Sequence, residues 1–404
     1  MANIGYIQVV RHCNHLCGFC SNPTTPYTHT FETMKVLVDD LVDRDYFGVI
    51  LTGGEPTLHP ELPRICRYAR ERGLHVRMIT NGTRLADGAF ARELADAGLQ
   101  LVHVSIYSVR PEVEAQLRGS EGTLARALGA MDAAHAAGIE VNVNCVINKL
   151  NAAHLDENVE HYLEHHPYVR HFVWNNLDPS MGRAEVNQAQ FTPRLIDFEA
   201  SLHRALSLLQ ASGRTFRVEK VPLCYMVDFA WASTETRKIV KGEERVVHFL
   251  DAKQTVRQTD WEHIYSEACE ACTLRTICGG LFDRGNGYDP RELYPVFVSR
   301  DTIVRAILED PHDPSFRYRS LTEWQEDFDR RCHETLAGAH ATRPAPHEPD
   351  ERPQGERLVS VGVVTEQSRR KFEAKREAEA RRARALGIAM ERDVEPTEPE
   401  PPGG

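Results

Sequence analysis

Two hydrophobic periods alternate along the first half of the chain. Short apolar runs, which predict buried strands, are followed by stretches with apolar residues at helical spacing. The predicted strands are 6–10, 47–51, 74–79, 101–106, 139–147 and 169–174. The predicted helices are 31–42, 62–71, 88–97, 124–137, 155–165 and 195–211. Six such units predict an α/β fold with a parallel sheet, either doubly wound or curled into a barrel.

The alternation weakens near residue 217, and this change predicts three parts. Residues 1–217 are the α/β core, and residues 218–338 form a small cysteine-containing domain with a segment packed onto it. Residues 339–404 are charged and Pro-rich, which is typical of a largely disordered tail. Within that tail, residues 368–386 predict a helix without a wide apolar stripe. This helix is either solvated or a docking element for a partner.

Composition narrows the class of protein. The 404 residues carry a formal net charge of -11, so no basic excess exists to hold nucleic acid. No apolar run approaches the roughly 20 residues that span a bilayer, and the first residues do not resemble a signal peptide. We therefore expect a cytoplasmic protein with no membrane or nucleic-acid partner. Ten cysteines are too few for a disulfide scaffold of this length, which favours metal binding.

The first cysteine cluster follows the first predicted strand. Cys13, Cys17 and Cys20 are separated by three and then two residues, so three thiolates can surround one compact metal centre. A zinc site would need a fourth ligand, for which His12 or His15 is available. A [4Fe–4S] cluster held by three cysteines would instead leave one iron open to a small molecule. The spacing alone leaves both centres open.

The next strands also end in small or polar residues. Gly53, Gly54 and Glu55 end the second strand, and two glycines let the backbone approach a ligand closely. Asn81 follows the third strand and Ser105 ends the fourth. Because the carboxyl ends of parallel strands share one rim, these residues predict a site there, suited to an ammonium group.

Together, Cys-x3-Cys-x2-Cys after the first strand and Gly-Gly-Glu-Pro after the second resemble the radical S-adenosylmethionine (SAM) superfamily, over roughly residues 4–215. The resemblance implies a partial (β/α)6 parallel barrel. It also implies that a [4Fe–4S] cluster binds SAM and cleaves it reductively, giving a 5′-deoxyadenosyl radical that abstracts hydrogen from a substrate.

By this resemblance, Cys13, Cys17 and Cys20 are cluster ligands. The implied SAM-binding residues are Phe19, Gly53, Gly54, Glu55, Pro56, Asn81, Ser105, Arg118 and Asn144. Strand periodicity places Asn142 and Asn144 inside the barrel and Cys145 under the helices. At the end of the sixth strand, packing and turn formation are the default expectation for Trp174, Asn175, Asn176 and Asp178, and substrate contact is the alternative. No residue stands out as catalytic.

A second cysteine cluster lies in the small domain. Cys269, Cys272 and Cys278 need a fourth ligand to complete a zinc or iron–sulfur site. Cys224 is favoured over Cys332, which lies in a helical pattern. The segment resembles the auxiliary-cluster domains called SPASM and twitch. Phe282 stands where the SPASM pattern continues with cysteine, so the twitch-like form with one auxiliary [4Fe–4S] cluster is the better match.

We therefore expect a radical SAM enzyme of the oxidoreductase or epimerase type. Its substrate is a ribosomal peptide or a small natural-product intermediate. No peptide-recognition domain precedes the first strand, which begins within six residues of Met1. The implied electron donor is a reductase, flavodoxin or ferredoxin. The alternative is a non-catalytic α/β protein with two structural zinc sites.

Overall fold

One ten-stranded sheet organises the chain. The computed structural model describes residues 4–22, 24–250, 255–259, 263–282, 287–312, 318, 320–338, 348–349 and 366–390. The strands are β1 (Ile4–Val10), β2 (Gly48–Gly53), β3 (His75–Thr80), β4 (Leu101–Ser105), β5 (Glu140–Ile147), β6 (His171–Asn176), β7 (Thr215–Glu219), β8 (Arg245–His248), β9 (Thr255–Gln258) and β10 (Glu348–Pro349). Their order in the sheet is β10-β9-β8-β1-β2-β3-β4-β5-β6-β7.

The eight strands from β8 to β7 are parallel, and β9 and β10 extend the β8 edge in antiparallel fashion. Inward side chains from β1 through β8 line one cavity of about 730 Å³, so the sheet curls around it. The strands at the two ends of the order are not paired with each other, so the barrel is open. The predicted α/β class and partial parallel barrel are confirmed.

Helices cover the outside of the sheet, as the long parallel connections require. Those that begin and end near the predicted bounds are α1 (Phe31–Asp43), α2 (Leu62–Glu71), α3 (Gly88–Asp96), α5 (Thr123–Ala136), α6 (Leu155–His165), α9 (Leu195–Ala211) and α13 (Glu366–Ala385). The others are α4 (Pro111–Arg118), α7 (Gly182–Val186), α8 (Gln188–Phe191), α10 (Thr234–Lys241), α11 (Arg300–Leu308) and α12 (Leu321–Gly338). Within the described residues, no helix is long and apolar enough to cross a membrane.

The two faces of β5 show how periodicity positions the cavity. Val141, Val143 and Cys145 are at most 2% exposed and belong to the apolar core beneath the helices. Asn142 and Asn144 alternate with them and line the cavity. The inward placement of the asparagines and the structural role of Cys145 are thereby confirmed. Cys66 on α2 is likewise a buried core residue.

The parallel sheet is wider than the six predicted strands. The expected boundary at residue 217 falls inside β7, and β8 then pairs with β1, with Tyr6 opposite Val247. These strands are five and four residues long and carry charged residues on the cavity face, so hydrophobic periodicity does not reveal them. In the tail, α13 confirms the predicted helix. The disorder predicted for the rest of 339–404 lies outside the described residues, apart from 348–349 and 386–390.

Candidate active site

The first cysteine loop lies at the mouth of the barrel cavity. Cys17, Phe19 and Cys20 line the cavity together with inward residues of the strands. The loop is held to the core at both sides, because Arg11 N donates to Tyr27 O and Leu16 N donates to Arg118 O. The structure thus places the cysteine loop beside the carboxyl ends of β1 to β4.

The three thiols form a buried donor set. Burial raises the pKa of Cys13 to about 11, with Glu55 and Cys20 contributing. Burial also raises the pKa of Cys17 to about 12, and the neighbouring Cys20 and Cys13 raise it further. Thiols such as those of Cys13 and Cys17, which resist ionisation on their own, are suited to a cationic iron centre, which stabilises the thiolate form. This donor set fits a cluster with one iron left open.

The two glycines after β2 let this turn approach the cysteine loop closely. Gly54 N donates to Val10 O at 2.7 Å, and Glu55 N donates to His12 O at 2.9 Å. A Cβ atom on Gly53 would lie 2.0 Å from Val10 O, and one on Gly54 would lie 2.0 Å from His12 O. Gly53 also has a φ of 127°, which favours glycine. An amino acid with a Cβ atom at either position would not allow the ends of β1 and β2 to lie this close together.

Glu55 is buried, and its carboxylate joins the ends of β2 and β3. Oε1 accepts hydrogen bonds from the Thr57 hydroxyl at 2.6 Å and from the Thr80 hydroxyl at 2.7 Å. Oε2 accepts one from Asn81 N at 2.7 Å. Pro56 follows as the first residue of a buried 3-10 turn. In this arrangement the Glu55 side chain orients the neighbouring backbone instead of lining the cavity.

Asn81 connects this turn to the cysteine loop. Its Nδ2 lies 2.7 Å from Asn14 Oδ1 and 3.7 Å from Cys13 Sγ. Its Oδ1 accepts from Thr83 N at 2.9 Å. Polar contacts of this kind hold the sulfur of a ligand in place. The structure therefore places Asn81 beside the first of the three cysteines.

Arg118 is fully buried, and internal partners engage its guanidinium. It donates to the Glu114 carboxylate, to Ser105 O, to His15 Nδ1 and to Asn81 O. Burial opposes the charge, but Glu114, Tyr107 and Cys17 together more than offset that effect, so the pKa of Arg118 is raised. Arg118 does not line the cavity. It holds the cysteine loop against the ends of β3 and β4.

His15, one of the two candidates for a fourth zinc ligand, has both ring nitrogens engaged. Nε2 lies 2.8 Å from the Thr83 hydroxyl, and Nδ1 lies 3.1 Å from Arg118 Nη1. Because a guanidinium only donates, Nδ1 is the acceptor. Burial and Arg118 lower the pKa of His15 to about 3. Within the described part of the chain, no three His, Cys, Asp or Glu side chains are grouped to hold a single metal ion.

Phe19, in the cysteine loop, and Asn144, on β5, both face the cavity. The Phe19 ring packs edge-on against Tyr107 at 4.7 Å, just below the cysteine loop. Asn144 Oδ1 accepts a hydrogen bond from Asn175 Nδ2 at 2.8 Å across β5 and β6. Both lie where a ligand bound below the loop would contact them.

The candidates at the end of β6 separate into two groups. Trp174 is 1% exposed within the apolar core and does not line the cavity, so the default expectation of packing is confirmed for this residue. Asn175, Asn176 and Asp178 line the cavity. The alternation of the strand explains the difference, since Trp174 points to the helices and Asn175 points inward.

Lys220 is a cavity residue that sequence reasoning missed. Its Nζ lies 3.6 Å from Asp178 Oδ2, and both side chains line the cavity. The backbone has a φ of 61°, which is uncommon for a residue with a side chain and often marks a functional position. Without the position of the unpredicted strand β7, no signal in the sequence distinguishes this lysine.

The second cysteine cluster assembles around a separate small pocket. Cys224, Cys269, Cys272 and Cys278 all line it. Burial raises the pKa of Cys224 to about 12, and Cys278 and Cys269 add to the shift. Cys332 is not among the lining residues. The helix that carries Cys332, α12, contacts α10 instead, because Trp324 Nε1 donates to Val240 O.

Hydrogen-bond donors surround these sulfurs. Gly280 N donates to Cys278 Sγ at 3.3 Å, and Val296 N donates to Cys272 Sγ at 3.4 Å. Donors to sulfur are one of the means by which proteins tune iron–sulfur clusters. Four soft thiols with such donors fit a [4Fe–4S] cluster by their chemistry, whereas no three of the described His, Cys, Asp or Glu side chains are grouped to hold a single metal ion such as zinc.

Sequence comparisons agree with this geometry. The family model "Radical SAM superfamily" matches residues 7–162. The Fe-coproporphyrin III synthase of Methanosarcina barkeri is 34% identical over 148 residues, which cover 36% of this chain and 37% of that protein. The GTP 3',8-cyclase of Xanthomonas axonopodis pv. citri is 31% identical over 169 residues, covering 39% and 50%. The PqqA peptide cyclase of Rhizobium meliloti is 29% identical over 158 residues, covering 38% and 42%.

Each match spans half or less of the relative's length. Among solved structures, Streptococcus suis SuiB aligns with a TM-score of 0.45 and 16% identity, covering 54% of this chain and 49% of SuiB. The matched residues 7–162 contain the three cysteines of the first loop and the Gly-Gly turn. Through this match, residues 7–162 of the chain are similar to the radical SAM superfamily.

Proposed function

We propose that this chain is an enzyme that cleaves SAM reductively at a [4Fe–4S] cluster held by Cys13, Cys17 and Cys20. When bound, the cluster supplies one electron to SAM, and the resulting 5′-deoxyadenosyl radical removes a hydrogen atom from a substrate in the barrel cavity. The observation that carries the proposal is the position of this loop: Cys17 and Cys20 line the cavity, and His12 at the start of the loop accepts a hydrogen bond from Glu55 N, directly after the Gly53–Gly54 turn.

The residues of the chain would bind and orient the cofactor. The backbone of Gly53 and Gly54 is positioned for the methionine ammonium, because their missing Cβ atoms bring it against the cysteine loop. Phe19 and Asn144 would contact SAM from the cavity side, where both lie. Glu55, Asn81, Ser105 and Arg118 would act by fixing the ends of β2 to β4, since their hydrogen bonds are to protein groups.

The substrate would bind in the same cavity, near Asp178 and Lys220. An ion pair at the cavity wall offers both a charged donor and an acceptor to a polar substrate. The names of the three relatives include a porphyrin, a nucleotide and a peptide, so the likeness does not select one class. We propose a ribosomal peptide or a small natural-product intermediate, converted by a net oxidation or an epimerisation.

Cys224, Cys269, Cys272 and Cys278 would hold an auxiliary [4Fe–4S] cluster. Cys224, in the second pocket, lies four positions after Lys220, which lines the cavity. Four extended residues span at most about 14 Å, so the two sites are close enough for electrons to pass between them. The cluster would then accept or return an electron during turnover.

The central test uses the anaerobically reconstituted full-length chain. With dithionite and SAM it should release 5′-deoxyadenosine even without substrate, because the electron and the cofactor are the only reactants needed. The product is quantified by chromatography alongside the iron and sulfide content. Protein that carries zinc at both sites and releases no 5′-deoxyadenosine would establish the structural-zinc alternative instead.

A second prediction isolates the auxiliary site. Cys272→Ala should lower the iron content from about eight to about four atoms per chain, since a cubane holds four irons. SAM cleavage driven by dithionite should stay within about twofold of wild type, because the first cysteine loop is unchanged. Cys332→Ala is the matched control and should keep all the iron. Equal iron loss in the two variants would show that the ligand set proposed here is wrong.

A further inference from the structure

The C-terminal helix α13 and the residues after it pack onto the first cysteine loop. Lys375 Nζ donates to Cys13 O at 2.5 Å. Ala383 and Ile388 are buried in a small apolar cluster with Leu16, which lies between the first two cysteines of the loop. The end of the chain is therefore seated on the segment proposed to carry the SAM-binding cluster.

A second set of contacts fixes the orientation of this segment. The Asn187 side chain forms a two-way pair with Ala389, accepting from its N–H at 2.7 Å and donating to its carbonyl at 2.8 Å. Asn187 Nδ2 also lies 3.4 Å from Gly18 O in the cysteine loop. Gln190 Nε2 donates to Gly387 O at 2.9 Å. These hydrogen bonds hold the residues that follow α13 against the cysteine loop, and they thereby orient the helix on that loop.

This C-terminal segment is strongly basic. Residues 366–390 contain eight Lys or Arg and four Glu, a net charge of +4 in a chain of net charge -11. Arg381, Arg382 and Arg384 are exposed near the contact with the loop. Within the described residues, Arg382 and Arg384 form no ion pair, and Arg381 lies 3.9 Å from Glu377. The bulk of the chain repels an acidic protein, and this segment attracts one.

We propose that this basic face, defined by Arg381, Arg382 and Arg384, docks an acidic electron-donor protein of the flavodoxin or ferredoxin type. The inference rests on the proposed function, in which one electron must reach the first cluster from outside for each SAM cleaved. The reduced donor loses one electron and the cluster gains it, with no bond formed. A donor drawn to this face is held against the cysteine loop, because α13 contacts that loop directly. Charge complementarity accelerates this kind of encounter by about 10-fold to 1,000-fold at low salt.

The test compares a protein donor with a chemical one. In the full-length reconstituted enzyme, the double variant R382E/R384E should cleave SAM at least about tenfold more slowly than wild type with reduced flavodoxin or ferredoxin at low ionic strength. With dithionite, which needs no docking, its rate should stay within about twofold. Added salt should slow the wild type with the protein donor and remove the difference between the two proteins.

The matched control is R67E/R70E, which changes the net charge equally on exposed arginines of α2. It should keep the wild-type rate with both reductants. Equal rates for the two double variants with the protein donor would overturn the proposal. An equal loss with both reductants would also overturn it, because α13 would then only support the cluster site. If the wild type cleaves no SAM with dithionite, the proposed function itself fails, and docking fails with it.

Discussion

A Cys17→Ala variant should release 5′-deoxyadenosine more than about 100-fold more slowly than wild type with dithionite and SAM. Loss of a residue that only supports a metal ligand typically lowers metal affinity or activity by about 10-fold to 100-fold. Cys17 is proposed as a direct ligand, so its loss should have a larger effect. It lines the cavity, and its backbone carbonyl accepts from Cys20 N, so its loss affects the centre of the loop. Chromatography of the nucleoside product measures the effect.

The control is Cys66→Ala, which removes a thiol that is buried in the core at α2. It should retain the iron of both sites and the cleavage rate. Circular dichroism on both variants tests whether they fold. A folded Cys17→Ala protein that still cleaves SAM at the wild-type rate would contradict the assignment of the first cluster.

Arg118→Met should lower the free energy of unfolding by about 3–5 kcal/mol, the usual effect of breaking a buried ion pair from one side. Arg118 and Glu114 are both 0% exposed. Methionine preserves much of the volume, but it leaves the Glu114 carboxylate with only the N–H groups of Tyr107 and Ser108 as donors. It also releases His15 and Ser105 O from the guanidinium. Denaturant titration followed by circular dichroism measures the loss.

Arg110→Met is the comparison for Arg118→Met, because Arg110 pairs with Glu157 at the surface. Water and salt screen such pairs, so the unfolding midpoint should not move measurably. If the two variants unfold at the same denaturant concentration, Arg118 does not hold the cysteine loop in the way described. A loss of SAM cleavage in the folded Arg118→Met protein would show that the loop position also matters for chemistry.

Much of the fold could be predicted because its signals are local. The period-two pattern of β5 was enough to place Asn142 and Asn144 inward and Cys145 in the core. The candidate site was equally visible where residues stand close in sequence, as in the cysteine loop and the Gly-Gly turn. Strands β7 and β8 escaped prediction because they are short and face a charged cavity. Their partners β6 and β1 supply the hydrogen bonds that sequence periodicity cannot show.

The role of Arg118 could not be predicted from its motif. Its position after the fourth strand implied a contact to SAM, and its guanidinium instead joins the cysteine loop, β3 and β4 through buried contacts. The same limit applies to Glu55, whose carboxylate is engaged by Thr80 and Asn81. Spacing identifies residues near a site, and only three-dimensional packing decides whether a side chain reaches the ligand or its supports.

By itself, the sequence determined the α/β class, the inward face of the sheet and the two groups of closely spaced cysteines. These features depend on the period of the backbone and on neighbours a few residues away. Tertiary structure alone decided which distant groups meet: Cys224 joins Cys269, Cys272 and Cys278 while Cys332 does not, and α13 lies on the cysteine loop. Contacts across tens or hundreds of residues depend on how whole elements pack, and no local pattern encodes them.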